Sequence, residues 1–319
     1  MSVRAVAIVW MLRLLVKPRL GRQTLAKGRL GMESMARRMK PPKNTVVETI
    51  RVGDLAAERL TPPGADPGRA LLWFHGGGYA AGSPLTARDA AARIAAASGT
   101  WALVPAYRLC PENPLAAGLE DALIAYRWLV GEVGSADRIV VAGDSAGGGL
   151  ALRLLVALRD AGDALPAAAV VLSAWTDLAM TGPSIRSNAG SDALFSPAFF
   201  KMVLDNLAGV TDPRDPHVSP LYADLSGFPP LLIQVSGDEA MLDDSVRFAE
   251  RARAAGNDVT LHVFPGLWHV FQLTAGLPEA RQALGEIGDF ARHHLAARKS
   301  AVGTPTQAKP EANLTQRRM

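Results

Sequence analysis

The chain has 319 residues, of which 49% are hydrophobic and 20% charged, and this composition predicts a globular, water-soluble α/β domain with an appendage. Its single cysteine, Cys110, excludes an intramolecular disulfide and a cysteine cluster for a metal ion, and is expected to be a packed small side chain. The net charge of +4 is uneven, because residues 1–43 carry eleven Lys/Arg and one acid whereas residues 44–298 are net acidic. No nucleic-acid-binding motif or aromatic–basic interleaving accompanies the basic ends, so no nucleic-acid partner is predicted.

Residues 1–43 are expected to form an N-terminal cap segment. The apolar run at 5–12 is too short to span a bilayer, and Arg13 and Lys17 interrupt it without a small-residue cleavage site. We therefore expect a helix that packs on protein, with contact to a membrane surface as the weaker alternative, and a cytoplasmic location. Glycines 21, 28 and 31 are expected to break the helical pattern.

Strands alternate with helical patterns along the rest of the chain. Strands are predicted at 45–52, 56–60, 71–74, 101–105, 138–142, 168–172, 231–236 and 260–264, and helices at 86–97, 119–130, 146–159 and 276–297. The alternation predicts a mostly parallel sheet with right-handed crossovers, hence an α/β fold with helices on both faces. The catalytic domain should cover 44–298, followed by a disordered polar tail at 299–319.

A long connection separates the strands at 168–172 and 231–236. Within it, Ser196-Pro197 is typical of a helix start, and Phe199 and Phe200 give the helix an apolar face. An insertion at about 180–228, together with the N-terminal segment, is expected to form a small helical cap over the site.

The run Gly143-Asp144-Ser145-Ala146-Gly147 lies between a predicted strand and a predicted helix. This Gly-x-Ser-x-Gly pattern is typical of a nucleophile elbow, in which a strained turn with positive φ holds the serine hydroxyl clear of the backbone. A Cβ at Gly143 or Gly147 should collide where strand and helix pass closely. A glycine-rich turn with an incidental serine is the alternative when this pattern stands alone.

Only one of the six histidines follows the last predicted strand in a loop. His269 does so, and an α/β-hydrolase sheet delivers its general base from that place. His293 and His294 are expected to be solvated on the last helix. His262 is expected in a strand, His217 in a proline-rich loop and His75 next to the glycine run.

Carboxylates follow the strand 231–236 at four positions. Asp238 comes directly after that strand and is predicted to orient His269, whereas Glu239 is expected to point elsewhere. Asp243 and Asp244 should open a helix, where carboxylates favour the positive end of the dipole. The order Ser145, Asp238, His269 is the order that this fold uses.

The chain resembles the hormone-sensitive lipase-like esterases, the bacterial arylacetamide deacetylase-like α/β-hydrolases, over roughly residues 40 to 297. The motifs that carry the resemblance are His75-Gly76-Gly77-Gly78-Tyr79, Tyr107-Arg108-Leu109, Gly143-Asp144-Ser145-Ala146-Gly147-Gly148, Gly237-Asp238-Glu239 and Trp268-His269-Val270-Phe271. Ala106 departs from the family, many members of which carry an acid before this tyrosine.

The resemblance implies a serine carboxylesterase that acts on small to medium acyl esters, or lactones, without a cofactor or metal. It implies a triad of Ser145, Asp238 and His269, and an oxyanion hole made by the amides of Gly77, Gly78 and Ala146. His75 is expected to orient the glycine loop, and a homodimer could form through the strand 260–264. An amidase or deacetylase, an interfacial lipase and a non-catalytic ligand-binding relative remain the alternatives.

Overall fold

The computed structural model describes residues 1–297, so the tail expected at 299–319 lies outside the described residues. Its strands are β1 (Val46–Val52), β2 (Leu55–Thr61), β3 (Asp66–Phe74), β4 (Thr100–Pro105), β5 (Ile139–Asp144), β6 (Ala168–Leu172), β7 (Leu231–Ser236) and β8 (Val259–Phe264). They form one eight-stranded sheet in the order β1-β2-β4-β3-β5-β6-β7-β8. β1 and β2 pair as an antiparallel hairpin, β2 also pairs antiparallel with β4, and every pairing from β4 to β8 is parallel. The predicted α/β class is confirmed.

Helices cover both faces of this sheet. The helices after the hairpin are α4 (Pro84–Ser98), α5 (Leu115–Val133), α6 (Ala146–Asp160), α7 (Ser184–Ser187), α8 (Pro197–Leu204), α9 (Leu242–Ala254) and α10 (Pro278–Ala297). α4 and α10 contribute Ile94 and Ile287 to one apolar cluster, whereas α5, α6 and α9 pack into a separate, larger cluster. The alternating order therefore produces the two outer layers that the sequence predicts.

Residues 1–36 form three helices, α1 (Val3–Met11), α2 (Lys17–Leu20) and α3 (Leu25–Ala36), with a π-helical turn at Leu12–Val16. Gly21 ends α2 as expected, but the breaks predicted at Gly28 and Gly31 are wrong, because both glycines lie inside α3. A helical glycine costs only about 1 kcal/mol relative to alanine, and the cap of Thr24 on the amide of Lys27 helps to start the helix. None of the helices within residues 1–297 is long and apolar enough to cross a membrane.

The connection between β6 and β7 contains α7 and α8. The Ser196 hydroxyl accepts a hydrogen bond from the amide of Phe199, and Pro197 occupies the first turn, as the sequence predicts. α8 buries Phe200 and Val203 in the larger apolar cluster. This short helix is therefore attached to the catalytic body by its own apolar face.

Three backbones meet where β3, β5 and the start of α6 converge. A Cβ at Gly147 would overlap the carbonyl oxygens of Phe74 and His75, and one at Gly143 would overlap the carbonyl of Gly147. Hydrogen is the largest substituent that fits at either position, which explains the spacing of these glycines.

We expect Gly147→Ala to destabilise the protein by about 3 kcal/mol or more, because the added methyl group meets fixed backbone atoms and not a flexible side chain. Gly131→Ala is the matched control, since Gly131 lies in α5 with nothing within 4 Å of an added Cβ. The control should stabilise the helix by about 0.5–1 kcal/mol. Urea unfolding of both variants measures the difference, and equal midpoints would contradict this account of the elbow.

Candidate active site

Ser145 lies between the end of β5 and the first residue of α6 in a strained backbone conformation, with φ 55° and ψ −123°. Its amide donates to the carbonyl oxygen of Leu172 at 2.8 Å, and its carbonyl oxygen accepts from the amide of Trp175 at 2.9 Å. Both main-chain groups of the elbow are thus tied to the end of the neighbouring strand β6 and to the loop that follows it. This anchoring holds a conformation that costs a non-glycine residue of order 1–3 kcal/mol.

The glycine loop after β3 is fixed to the elbow by Asp144. The buried Asp144 carboxylate accepts a hydrogen bond from the amide of Gly76 at 3.1 Å, and a Cβ on Gly76 would overlap that carboxylate. Burial raises the pKa of Asp144 to about 6, although the Gly76 amide opposes the rise. Asp144, the residue before Ser145, therefore joins the two glycine motifs, a role that the sequence analysis did not assign.

His75 contacts the same loop but is held neutral. Its Nδ1 lies 2.9 Å from the carbonyl oxygen of Gly76, and its ring stacks on Tyr107 with centroids 4.3 Å apart. The Tyr107 hydroxyl donates to the carbonyl oxygen of His75 at 2.7 Å. Burial lowers the pKa of His75 to about 4, so its ring is uncharged at neutral pH. The contacts fit a part in orienting the loop.

Three backbone amides, those of Gly77, Gly78 and Ala146, are candidates for binding the oxyanion of a substrate. Gly77 and Gly78 have φ of 125° and 64°, and within residues 1–297 their amides donate to no protein acceptor. Ala146 is the first residue of α6, where an amide has no partner within the helix. Free amides at a helix start and on a left-handed loop are suited to binding a negatively charged oxygen.

His269 lies in the loop after β8 and is buried, as is its carboxylate partner Glu239. Nδ1 of His269 is 3.2 Å from Oε2 of Glu239, and the same oxygen accepts from the Ser173 hydroxyl at 2.9 Å. Nε2 of His269 has no hydrogen-bond partner within the described residues, so it is available to take a proton. Burial alone would lower the pKa of His269, but the carboxylates of Glu239, Asp192 and Asp144 together outweigh it and the pKa is raised.

The assignment of Asp238 as the orienting carboxylate is corrected by this geometry. Asp238 turns at the end of β7, where its amide donates to the Ser236 hydroxyl and its carbonyl accepts from Ser191. The next residue, Glu239, is fully buried, and its longer side chain reaches the imidazole. Glu239 was expected to point elsewhere, and that expectation is also wrong.

The two acids that open α9 are structural. The Asp243 carboxylate accepts from the amide of Ser184 at 2.6 Å, and the buried Asp244 carboxylate accepts from the amides of Thr176 and Asp177. Burial raises the pKa of Asp244 to about 7. Both acids therefore hold the start of the long connection against α9 and do not face His269.

The remaining histidines lie away from this arrangement. His262 pairs with Glu286, His217 and His293 are exposed, and the ring of His294 packs against Phe290. Among the histidines of residues 1–297, His269 alone combines burial, a carboxylate partner and an unpaired ring nitrogen.

Asp192 is a buried residue of the site that the sequence analysis missed. Its carboxylate accepts hydrogen bonds from the amides of Leu194 and Phe195 and from the amide of Ala240, directly after Glu239. The Phe195 ring lies 4.6 Å from the His269 ring, measured between centroids. The Asp192 carboxylate thus links the loop that carries Phe195 to the residue after Glu239. Ser191-Asp192 belongs to no recognisable motif in the connection between β6 and β7, so the sequence gives no indication of this linking role.

Two separate segments cover the glycine loop. A Cβ on Gly78 would come within 2.7 Å of Val203 Cγ1 in α8. From α3, the Arg29 guanidinium donates to the carbonyl oxygens of Ala80 and Cys110. The N-terminal helices and the insertion therefore both lie beside the free amides of Gly77 and Gly78.

Comparison with known proteins gives a consistent picture. Residues 71–273 match the family described as alpha/beta hydrolase fold. The chain is 42% identical over 246 residues to an acetyl-hydrolase of Streptomyces hygroscopicus, covering 77% of this chain and 82% of the relative. It is 34% identical over 262 residues to the ethyl acetate hydrolase of Pseudomonas putida, covering 77% and 81%. A crystal structure of an esterase from the bacterial hormone-sensitive lipase family superposes with a TM-score of 0.87 at 40% identity, covering 93% and 99%.

We expect Glu239→Gln to lower kcat for an ester by about 10³–10⁴-fold, because the amide misorients the imidazole and leaves the developing imidazolium without a counter-charge. Without the carboxylate, burial dominates the pKa of His269, so the acidic limb of the kcat/KM profile should move to lower pH. Asp238→Asn is the matched control and should stay within about threefold of wild type. A larger loss in Asp238→Asn than in Glu239→Gln would restore the sequence-based assignment.

Proposed function

The chain belongs to the hormone-sensitive lipase-like esterases of the α/β-hydrolase fold and is a carboxylesterase, and we propose that it cleaves esters through an acyl-enzyme on Ser145. The observation that supports this most is the buried His269, which contacts Glu239 through one nitrogen and leaves the other unpaired. The triad that we propose is therefore Ser145, His269 and Glu239.

In the first half of the proposed reaction, Ser145 Oγ attacks the ester carbonyl carbon while Nε2 of His269 takes the hydroxyl proton. Collapse of the tetrahedral intermediate breaks the bond to the alcohol oxygen, and His269 returns the proton to the leaving alcohol. Water then attacks the acyl-enzyme, again losing a proton to His269, and the carboxylic acid leaves from Ser145. Glu239 holds Nδ1 of His269 and stabilises each imidazolium.

We assign the oxyanion hole to the amides of Gly77, Gly78 and Ala146. Removing one donor from such a hole typically costs about 10²–10³-fold in kcat, so the position of the glycine loop is critical. Asp144 supports this assignment, because its bond to Gly76 ties the loop to the strand that carries Ser145. His75 and Tyr107 are assigned a positioning part on the other side of the loop.

We propose small to medium acyl esters as substrates, with lactones included. Two relatives are named acetyl-hydrolase and ethyl acetate hydrolase, which supports short acyl groups. The apolar ring of Phe195 packs beside the His269 ring, and Val203 lies beside Gly78. Such surroundings suit an uncharged ester better than a charged one. A panel of esters, lactones and amides graded by acyl length tests the assignment, and preferred amide cleavage would favour the deacetylase reading.

We propose that residues 1–43 and the insertion at about 180–228 act together as a cap. Packing of Gly21 beside Ser196 and Ala198 supports a joint structure, as does the place of Leu25 beside the cluster that contains Phe200. We also propose a cytoplasmic enzyme, since Arg13 and Lys17 interrupt the apolar run near the N-terminus.

A homodimer through the strand 260–264 is part of the same proposal. β8 is an edge strand of the sheet, Thr260 and His262 are only half-buried, and Val263 is 45% exposed. An open edge of this kind offers unpaired backbone groups to a second chain.

Ser145→Ala should remove nearly all turnover, by on the order of a millionfold, because no acyl-enzyme can form. The elbow accepts the smaller side chain, so the free energy of unfolding should remain within about 1 kcal/mol of the wild-type value. Turnover is measured by hydrolysis of a chromogenic acetate ester. In a second measurement, the wild-type protein is treated with a serine-directed sulfonyl fluoride, and mass spectrometry identifies the labelled residue. Near-normal turnover by the folded variant, or labelling elsewhere in the chain, would refute the proposed nucleophile.

Val203→Ala should raise kcat/KM for long acyl esters relative to acetyl esters, because it opens space beside Gly78. One buried methylene is worth about 0.8 kcal/mol, so we expect a shift of several-fold. Lys201→Ala on the exposed side of α8 is the control and should leave the ratio unchanged. Equal ratios in all three proteins would mean that α8 does not bound the acyl site.

Val263→Glu should convert the proposed dimer to a monomer, since two carboxylates would be brought together at the paired edges. Val46→Glu changes a comparably exposed valine at the opposite edge of the sheet, on β1, and should leave the dimer intact. Light scattering at micromolar concentration measures the mass of each. A wild-type monomer under these conditions contradicts the proposal.

A further inference from the structure

The outer surface of the N-terminal helices carries an unusual concentration of exposed apolar side chains. Of thirteen large hydrophobic residues that are exposed in the described chain, nine lie within residues 1–36: Met1, Val3, Val6, Trp10, Met11, Leu14, Leu15, Leu30 and Met35. Scattered single apolar residues are normal on a protein surface, but a contiguous group marks a binding surface.

The exposed residues of α1 and the π-helical turn share one side. Val3, Val6, Trp10 and Leu14 recur at spacings of three and four, and Trp10 and Leu14 are 56% and 66% exposed. The opposite side packs on the protein through Ala5 and Val9, in a cluster with Leu267 and Trp268. The segment is therefore apolar on two sides, and only one of them is covered by the described chain.

Positive charge surrounds this bare side. Leu14, Leu15 and Pro18 line an open depression of about 440 Å³ together with Arg19, Arg22, Gln23 and Lys27. The segment 1–43 holds eleven Lys/Arg and a single acid, Glu33, which is bonded to Ser83. Within residues 1–297, the one salt bridge made by its basic side chains joins Arg29 to Glu112. Several of the other basic side chains bind backbone carbonyl oxygens, among them Arg4, Arg13, Lys17 and Arg19. The side chains of Arg22 and Lys27 make no hydrogen bond or salt bridge within residues 1–297 and are left for a partner.

We propose that the bare side of residues 3–30 docks flat on an anionic lipid surface, with Trp10 and Leu14 inserted at the level of the headgroups and Arg22 and Lys27 bound to lipid phosphates. An amphipathic helix of this kind buries its apolar face about 5–10 Å into the boundary between headgroups and acyl chains. Basic residues near an anionic surface add to the binding, and salt weakens their contribution. A second copy of the chain is a poor occupant, because it would bring two strongly cationic segments together.

Docking in this orientation brings the lipid surface next to the cap. Gly21 packs beside Ser196 at the start of α8, and Arg29 bonds to Ala80, two residues after Gly78. The enzyme would then take ester substrates that partition into the membrane as well as esters dissolved in water. The surface itself depends only on the fold of residues 1–36 and not on the proposed chemistry.

The experiment is co-sedimentation of the full chain with vesicles of phosphatidylcholine, with and without phosphatidylglycerol, at low and high salt. We expect binding to the anionic vesicles that is at least roughly tenfold tighter than to the neutral ones and that weakens with salt. Leu14→Glu should weaken binding, and the double variant Arg22→Gln/Lys27→Gln should weaken it on the order of tenfold. Brominated lipid should quench wild-type fluorescence more strongly than that of Trp10→Phe.

Ile124→Glu is the matched control, because Ile124 is an exposed apolar residue of α5, 47% exposed, outside the N-terminal segment. It should bind as wild type does, and every variant should keep the circular dichroism spectrum of the wild type, which shows that lost binding is not lost folding. The proposal is overturned by a wild-type protein that stays in the supernatant, by equal binding to neutral vesicles, or by equal losses in Leu14→Glu and Ile124→Glu. Self-association without lipid that Leu14→Glu abolishes would assign the surface to a second copy instead.

Discussion

The close approach of three backbones at the end of β3 and β5 is the constraint on which the site depends. Because Gly143 and Gly147 have no Cβ, α6 can start against the carbonyl oxygens of Phe74 and His75. This approach forces the residue between them into a positive φ, and that residue is Ser145. The same contact sets the glycine loop beside the first amide of α6, so the proposed nucleophile and the proposed oxyanion donors are positioned by the same packing.

Buried carboxylates around His269 then set its basicity. Glu239, Asp192 and Asp144 all raise the pKa of the imidazole, while burial of the ring lowers it. None of the three is left to solvent, since backbone amides or hydroxyl groups bind each one. Such hydrogen bonds offset much of the free-energy cost of burying a carboxylate, whereas an unpaired buried carboxylate would destabilise the fold by several kcal/mol. The negative electrostatic potential at His269 therefore comes from carboxylates that also hold the surrounding loops together through hydrogen bonds.

Most of the fold followed from the sequence, because periodicity and burial agree along each strand. The strands at 168–172 and 231–236 match Ala168–Leu172 and Leu231–Ser236, since apolar runs bounded by turn residues define a buried parallel strand. The helix α3 was predicted less well, because it contains Gly28 and Gly31. Packing against neighbouring structure stabilises such a helix despite the low helix propensity of glycine.

Of the proposed triad, Ser145 and His269 were predicted from the sequence, but the acid was not. Sequence places Asp238 and Glu239 one position apart after the same strand, and adjacent residues in a turn point in different directions. Which of them reaches the imidazole depends on the direction of the turn after Ser236 and on the contact with Ser173, neither of which leaves a pattern in the sequence. Asp192 was hidden for the same reason, because its partners lie in two distant loops.

The N-terminal helices affect the site through backbone contacts more than through ion pairs. Arg13 donates to the carbonyl oxygen of Ser191, and Lys17 donates to those of Ala189 and Asp192 at 2.7 Å. The loop held in this way is the one that carries Asp192 and Phe195 to Ala240 and His269. Hydrogen bonds from charged donors are worth about 1.5–3 kcal/mol each, a sizeable part of the stability of a short loop. A partner that moves α1 and α2 would therefore move the covering of His269 as well, so the proposed docking segment also sets the geometry over the proposed catalytic base.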